Sequence, residues 1–356
     1  MFDPQDLTPV TCSSLKTFKL CRKDYLLRFV RGLRPLTESE AQYLGTVIHG
    51  CLERWYLSMR NSQAGGRGDA DKDAVVSGIF DYIDTSFPDR ERDERQKRDW
   101  HLARAMFTEY IERYPFEDFE VVEVELQFQC PIINPDTGAA SRTFYMRGKV
   151  DALVVREGEY FLLEHKTASV INESYLEKLP LDFQVTLYAH YLEQFMNIRI
   201  AGVIYNVIGK ARLQQGAGET EEVFEARRAK LLEKSKTGKT SAKRQMPEPD
   251  EEYAARLAEK YRGPDMFHRS PLYIPRSQYE TLTAEIWELC QQLLIARRTN
   301  RWYMNTDVCF LYNHPCRFFP ICVSGDNPNV VENKYRIGPI HPELDESAPA
   351  REEMFT

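Results

Sequence analysis

The stretch 148–167, GKVDALVVREGEYFLLEHKT, decides how the chain is read. Two apolar runs, ALVV at 152–155 and YFLL at 160–163, flank the polar REGE, the pattern of an antiparallel hairpin turning at Glu157–Gly158. A two-residue loop pairs Arg156 with Glu159 and, counted back along both strands, sets Asp151 opposite Glu164. Directly opposed residues carry Cβ atoms about 4.5–5.5 Å apart, and like charges so placed destabilise a strand pair. Period two also puts Leu162, Glu164 and Lys166 on one face and His165 on the other. One way to settle that charge is a plain salt-bridged strand end, Lys166 pairing with Asp151 or Glu164. The other is a divalent cation: Mg2+ or Mn2+ takes one or two protein carboxylates, keeps waters and accepts a phosphate oxygen. A lysine beside such an ion can orient the attacking water and stabilise the charge that develops.

The chain around this hairpin has 356 residues, 42% hydrophobic and 28% charged, enough for one globular domain over 1–356 with a sizeable core. No apolar run approaches the roughly 18 residues of a membrane span. The start, MFDPQDLTPVTCSS, lacks the basic and apolar regions of a secretory signal, so an intracellular, soluble, cytoplasmic protein is expected. Eight cysteines in such a protein point to reduced thiols or metal ligands rather than disulfides. The net charge of −7 gives no global reason for a polyanion partner, but the charge is unevenly placed. Residues 16–34 carry Lys16, Lys19, Arg22, Lys23, Arg28, Arg31 and Arg34 against Asp24 alone, and 227–244 carry eight Lys/Arg against Glu233. Charge runs are usually solvated faces; two basic segments in an acidic protein also permit a local nucleic-acid track.

Helical periodicity predicts helices over 13–30, capped by Ser13 or Ser14, and over 45–60, 73–86 and 95–114. The pattern then alternates through 119–132 and 142–167, returns to helix at 181–197 and gives a strand at 200–209. Residues 210–270 read as a charged surface insertion, followed by a helix at 277–298, a Cys-rich end and an acidic tail at 342–356. Helices before a central hairpin, then helix and strand, indicate an α/β fold.

The spacing G-x-x-D…E-x-K, on Gly148, Asp151, Glu164 and Lys166, resembles the bipartite signature of PD-(D/E)XK nucleases, without the usual Pro before the Asp. Three further pieces resemble its RecB-like exonuclease branch. GTVIHGCLE at 45–53 looks like the G-x-x-x-H-x-x-x-E helix, QVTLY at 184–188 like the Q-x-x-x-Y helix, and 13–35 like the N-terminal segment with a lone cysteine. A single His on a half-apolar helix is more often a packed core residue, and Q-x-x-x-Y is commonplace. Four elements in the family's order over about 13–210 carry the resemblance, and His49/Glu53 and Gln184/Tyr188 each share a helix face at i,i+4.

The resemblance implies a restriction-endonuclease-like core, a central mixed β-sheet flanked by helices with a helical N-terminal region. It implies Mg2+ or Mn2+ held by His49, Asp151, Glu164 and the carbonyl of His165, with Lys166 orienting water. Gln184 and Tyr188 would steady Lys166 or contact the scissile strand, Lys16, Lys19, Arg22 and Lys23 would contact phosphates, and Glu53 and Glu125 are further carboxylates within this picture. Of the cysteines, Cys12, Cys51, Cys130 and Cys290 lie singly in helix- or strand-like stretches and read as small apolar fillers. Cys309, Cys316 and Cys322 cluster in CFLYNHPCRFFPIC and need a fourth ligand for a [4Fe–4S] cluster or a zinc site; Cys21 is the candidate.

A subset of RecB-like nucleases, including helicase–nuclease subunits and CRISPR-associated adaptation nucleases, staples its ends in this way around iron–sulfur. The C-x5-C spacing matches that subset, whereas Cys309-x6-Cys316 is longer than its usual C-x2-C, so His314 in a Cys3His zinc site is the alternative. The staple would join 13–35 to 300–325 and hold Phe310, Tyr312, Phe318 and Phe319 near the DNA path. The expected function is therefore a Mg2+/Mn2+-dependent DNA exonuclease of recombination or repair, acting on single-stranded DNA or duplex ends. With no P-loop in the chain, unwinding would fall to a helicase or recombination partner. The alternatives are a non-catalytic DNA-binding or assembly subunit, a structure-specific endonuclease or an RNA-directed nuclease. No groove-reading motif predicts sequence specificity.

Overall fold

A computed structural model describes residues 4, 6–36, 40–65, 70–88, 93–311 and 314–344. The chain opens with β1 (Thr8–Val10), α1 (Cys12–Leu20), α2 (Arg22–Tyr25), a π-helical turn (Leu26–Val30) and β2 (Leu33–Pro35). Three helices follow, α3 (Glu40–Gly65), α4 (Ala70–Ser86) and α5 (Glu94–Arg113), then β3 (Glu120–Ile133), β4 (Ala140–Arg156) and β5 (Glu159–Ala168). After them come α6 (Glu173–Leu176), α7 (Phe183–Met196), β6 (Ile200–Gly209), α8 (Glu221–Lys234), α9 (Asp250–Arg262), β7 (Phe267–Tyr273) and α10 (Ser277–Thr299). Short elements close the chain: β8 (Phe310–Leu311), β9 (His314–Pro315), α11 (Phe319–Val323), α12 (Pro328–Lys334) and β10 (Tyr335–Ile337). None of the described helices is long and apolar enough to cross a membrane.

Six strands form the central mixed sheet, in the order β1-β4-β5-β6-β7 with β3 on β4. The β4–β5 hairpin has the register that the sequence predicts, from Arg156↔Glu159 back to Ala152↔Leu163. Its turn needs left-handed backbone at both central positions, and Glu157 (φ 54°) and Gly158 (φ 80°) supply it. Pairing then stops one step short of Asp151 and Glu164. β5 continues alone with β6, in parallel, as far as Ala168↔Gly209. β3 covers one edge of β4, so β1, at 144–146, and β5, from 152, share the other. Residues 147–151 of that edge have neither neighbour, and the sheet forks there.

Each face of the sheet carries its own apolar core. One packs α1, α7 and α10 through residues such as Leu15, Leu187 and Leu293. The other packs α3, α4, α5 and α9 through Ile48, Ile83, Met106 and Leu257. β6 is sandwiched between them, which is why IAGVIYNVIG is apolar almost throughout.

Three expectations need correction. The first helix starts two or three residues earlier than Ser13 or Ser14 as cap would allow: Thr11 is its N-cap, in a reciprocal capping box with Ser14. It is also broken at Cys21, whose extended backbone separates α1 from α2. The stretch 210–270 is not one surface insertion. α8 buries no residue, but α9 buries Tyr253, Leu257 and Tyr261 against α5, and β7 completes the sheet. Its many charges hide a 3.6-residue apolar period too short to stand out. Of the tail 342–356, residues 345–356 lie outside the described residues, as does Tyr312.

Candidate active site

At the fork, α3 and α7 both reach the gap between β4 and β5. Asp151 takes over where the ladder stops: its Oδ2 accepts the His165 backbone N–H at 2.8 Å. Its other oxygen lies 3.7 Å from Nδ1 of His49 on α3. Glu164, only 3% exposed, accepts from Lys166 Nζ at 2.6 Å and from Gln184 Nε2 at 2.9 Å. Lys166 also donates to Gln184 Oε1 at 3.1 Å, so Gln184 ties both ends of the E-x-K pair to α7. Asp182, the N-cap of α7, lies 3.6 Å from Lys166 Nζ. Gly148 is required for space: a Cβ there would stand 2.4 Å from Phe128 Cζ and 3.1 Å from Tyr188 Cε1. Tyr188 thus backs the strand at Gly148.

The two carboxyls titrate apart. Burial raises both, but Asp151 ends below its usual range because His49, His165 and the His165 N–H favour its charged form. Glu164 is pushed up to about 7 by burial and by the charge of Asp151, against the pull of Lys166. Burial would neutralise Lys166, yet Glu164 and Asp182 outweigh it and hold the ammonium charged. His49 likewise rises because Asp151 overcomes its desolvation. Glu125 is a further carboxylate nearby. It sits at φ 53° in β3, interrupting the strand's alternation, pairs with Lys149, and is raised by burial and by Asp151 and Glu53 despite that lysine.

Behind the fork lies a buried polar network that the sequence reading missed. Arg269 of β7 can only donate, and its Nε bonds Asn206 Oδ1 at 3.3 Å, so the Asn206 amide nitrogen faces His165 Nδ1 at 2.8 Å. The same nitrogen donates to Tyr110 Oη at 2.9 Å. Tyr110 and Tyr56 share a hydroxyl bond of 2.6 Å, Tyr56 donates to Glu117 at 2.7 Å, and Arg269 pairs with Glu117. Tyr56 stacks on His165 with ring centres 5.2 Å apart. Burial depresses His165 to about 3, so its imidazole is neutral, with its proton on Nε2. The signal was present: Asn206 is the one polar side chain inside the apolar run of β6.

The N-terminal cations are placed differently from the carboxylates. Lys16 bonds Asp182 at 2.9 Å, beside the fork. Lys19 pairs with Glu285, Arg22 bonds Gln292 at 2.8 Å, and Lys23 pairs with Asp326 at 2.7 Å. All four therefore have internal partners, and Lys19 and Arg22 face α10 rather than the gap.

The four expected cysteine ligands are neighbours. Cys322 is raised to about 11 by burial and by Cys316, Cys21 and Cys309. Asn305 bridges two of them: its N–H donates to Cys21 Sγ at 3.5 Å and its carbonyl accepts from Cys309 Sγ at 3.6 Å. β2 and β10 pair the chain ends beside them, over Leu33↔Ile337 to Pro35↔Tyr335. Phe318 is a core residue here, stacked on Tyr335, and does not face outward. Cys12, Cys51, Cys130 and Cys290 are buried apolar residues. Among the described residues, no three His, Cys, Asp or Glu side chains converge tightly enough to grip an ion. By chemistry, the fork offers hard oxygens and an imidazole, and the chain-end region offers thiols.

A family model described as the PD-(D/E)XK nuclease superfamily matches residues 9–322, most of the chain. No match was found among curated proteins. One solved structure, titled "Crystal structure of SSO0001", aligns at 15% identity over 62% of this chain and 84% of the other, with a TM-score of 0.21.

Proposed function

Because the chain belongs to the PD-(D/E)XK nuclease superfamily and has its restriction-endonuclease-like core, we propose that it is a divalent-metal-dependent deoxyribonuclease. In this reading it is an exonuclease on single-stranded DNA or duplex ends, serving recombination or repair in the cytoplasm beside a helicase or recombination protein. The observation that carries it is the opening of β4 from β5 at Asp151 and Glu164, with Lys166 held at the rim by Glu164 and Gln184.

Mg2+ or Mn2+ would be held by Asp151, Glu164, His49 and the carbonyl of His165, a donor set suited to a hard cation. Burial and the charge of Asp151 push Glu164 up to about 7, and such a cation would favour its charged form against both. Once bound, the ion supplies positive charge to the scissile phosphate and acidifies a water. Lys166 has three donors; Glu164 and Gln184 use two at hydrogen-bond distance, leaving the third for the attacking water. Gln184 fixes the lysine's direction, and Tyr188 supports the glycine that brings the strand backbone close. Cys21, Cys309, Cys316 and Cys322 would hold a [4Fe–4S] cluster, or zinc with His314, in a structural role that ties the chain ends together.

The test is anaerobic purification with an absorbance scan near 400 nm and iron assay, then incubation with end-labelled single- and double-stranded DNA plus Mn2+. Shortening from the ends with Mn2+ is expected, and cutting of closed circular DNA would instead indicate an endonuclease. Binding without hydrolysis would favour an assembly subunit, and a colourless, iron-free protein would remove the cluster.

A further inference from the structure

The second basic stretch of the sequence has no part in the site just described, and it forms a distinct arm. The chain leaves the sheet at the end of β6, where Lys210 N–H bonds Ala168 O at 2.7 Å. There the Lys210 ammonium and Thr167 both lie against Gly45, one turn before His49 on α3. The arm, residues 211–249, is thus rooted at Ala168, two residues beyond Lys166, at the same end of the sheet as the fork.

Arginines hold the arm together. Arg227 bonds Glu219 through Nε at 2.9 Å and also caps Lys243 O; Arg244 bonds Glu219 O at 2.9 Å and Glu221 at 2.9 Å. Backbone bonds Glu219 N–H to Gln245 O and Glu248 N–H to Gly216 O close its stalk. The lysines do none of this. Lys230, Lys234, Lys236, Lys239 and Lys243 are all exposed, and no carboxylate among the described residues pairs with any of their ammonium groups. The contrast with Lys16, Lys19 and Lys23, each bound to an internal carboxylate, is direct.

Five unpaired ammonium groups on an arm that buries no side chain of its helix contribute nothing to folding and repel one another. Val223 and Leu231, the large apolar residues that α8 leaves exposed, are too few for a membrane-facing stripe. Hydrated, flexible point charges rooted beside a phosphodiester-cleaving centre fit a phosphate backbone. We propose that this arm is a second nucleic-acid contact, gripping the phosphates of DNA flanking the fork through Lys230, Lys234, Lys236, Lys239 and Lys243. The proposal rests on the nuclease reading for its choice of polyanion.

The experiment compares the full chain with a variant in which all five lysines are glutamine and one in which all five are arginine. Binding of a fluorescent 40-nucleotide DNA, single-stranded and duplex, is followed by anisotropy across a salt series in Ca2+, with circular dichroism as the folding check. Each phosphate that the arm no longer neutralises should flatten the log–log salt slope by about 0.7 for a single strand or 0.9 for a duplex. The glutamine variant should flatten it by about 2–4 and bind at least 10-fold more weakly at low salt, while the arginine variant keeps both. If the unaltered chain hydrolyses DNA and the glutamine variant binds as it does, the arm proposal is overturned and the nuclease reading stands. Arm-dependent binding with no hydrolysis in Mn2+ keeps the arm and removes the nuclease. An unaltered chain that neither binds nor cleaves removes both.

Discussion

The fork and the cysteine region are both candidate metal centres, yet they are built in opposite ways. At the fork, every candidate ligand, and Gln184 beside them, stands on a long element already fixed by its neighbours: β4 by β3, β5 by β6, α3 and α7 by the two cores. The cysteines stand on short pieces from the two chain ends, beside a small apolar cluster of Leu27, Leu33, Phe318, Ile321 and Tyr335 against which Val330 and Val331 pack. A cation at the fork would therefore enter a frame that exists without it. At the chain ends, the ligand set itself would supply most of the order, as in small metal-held domains.

The sharpest break of this comparison is at Lys166. Lys166→Ala should lower Mn2+-dependent hydrolysis by about 10²–10³-fold with an unchanged circular dichroism spectrum; unaltered turnover would remove the fork as the reaction centre. Asn206→Leu probes the network behind it. Losing the bond to His165 should weaken the apparent Mn2+ affinity by about 10–100-fold, measured as the Mn2+ concentration giving half-maximal rate, with a smaller change in kcat at saturating metal. Cys21→Ser should abolish iron incorporation and lower the first calorimetric transition by about 5 °C, while the main transition of the sheet stays in place. A single unshifted transition would show that the chain ends are ordered without a cluster.

Gly148→Ala tests packing at the fork alone. Its Cβ meets the Phe128 ring, which must shift, and a loss of about 1–3 kcal/mol is expected in urea unfolding. The smallest effect is a proton. Folded Glu164 keeps its proton up to about 7, whereas an ordinary glutamate releases it near 4.5. Without divalent ions this carboxyl's contribution to stability therefore falls as pH climbs from 4.5 toward 7. Mn2+ needs the Glu164 carboxylate and a neutral His49 imidazole, so binding near pH 7 should release up to about two protons, seen by calorimetry in buffers of different ionisation enthalpy.

The hairpin, its register and the candidate carboxylates were legible because they follow local rules: a two-residue turn, period two, and a charge conflict at a strand end. The helices of the N-terminal half were legible from periodicity, although the cap at Thr11 and the break at Cys21 were not, since both depend on side-chain bonding that the apolar pattern does not record. α9 was misread because its apolar face is only Tyr253, Leu257 and Tyr261 among many charges. The network of Tyr56, Tyr110, Glu117, Asn206 and Arg269 escaped because its members come from α3, α5, the loop before β3, β6 and β7, with no shared spacing.

What the sequence by itself determined was the turn at Glu157–Gly158 and everything that counting from it dictates, including the approach of Asp151 to Glu164. Tertiary structure decided the rest. The sheet splits at that pair because β5 follows β6 while Asp151 turns to the His165 N–H. Which basic residues stay free was also decided there, because an ion pair forms only where folding brings a carboxylate within reach. That places the lysines of 16–23 in internal pairs and leaves those of 230–243 exposed.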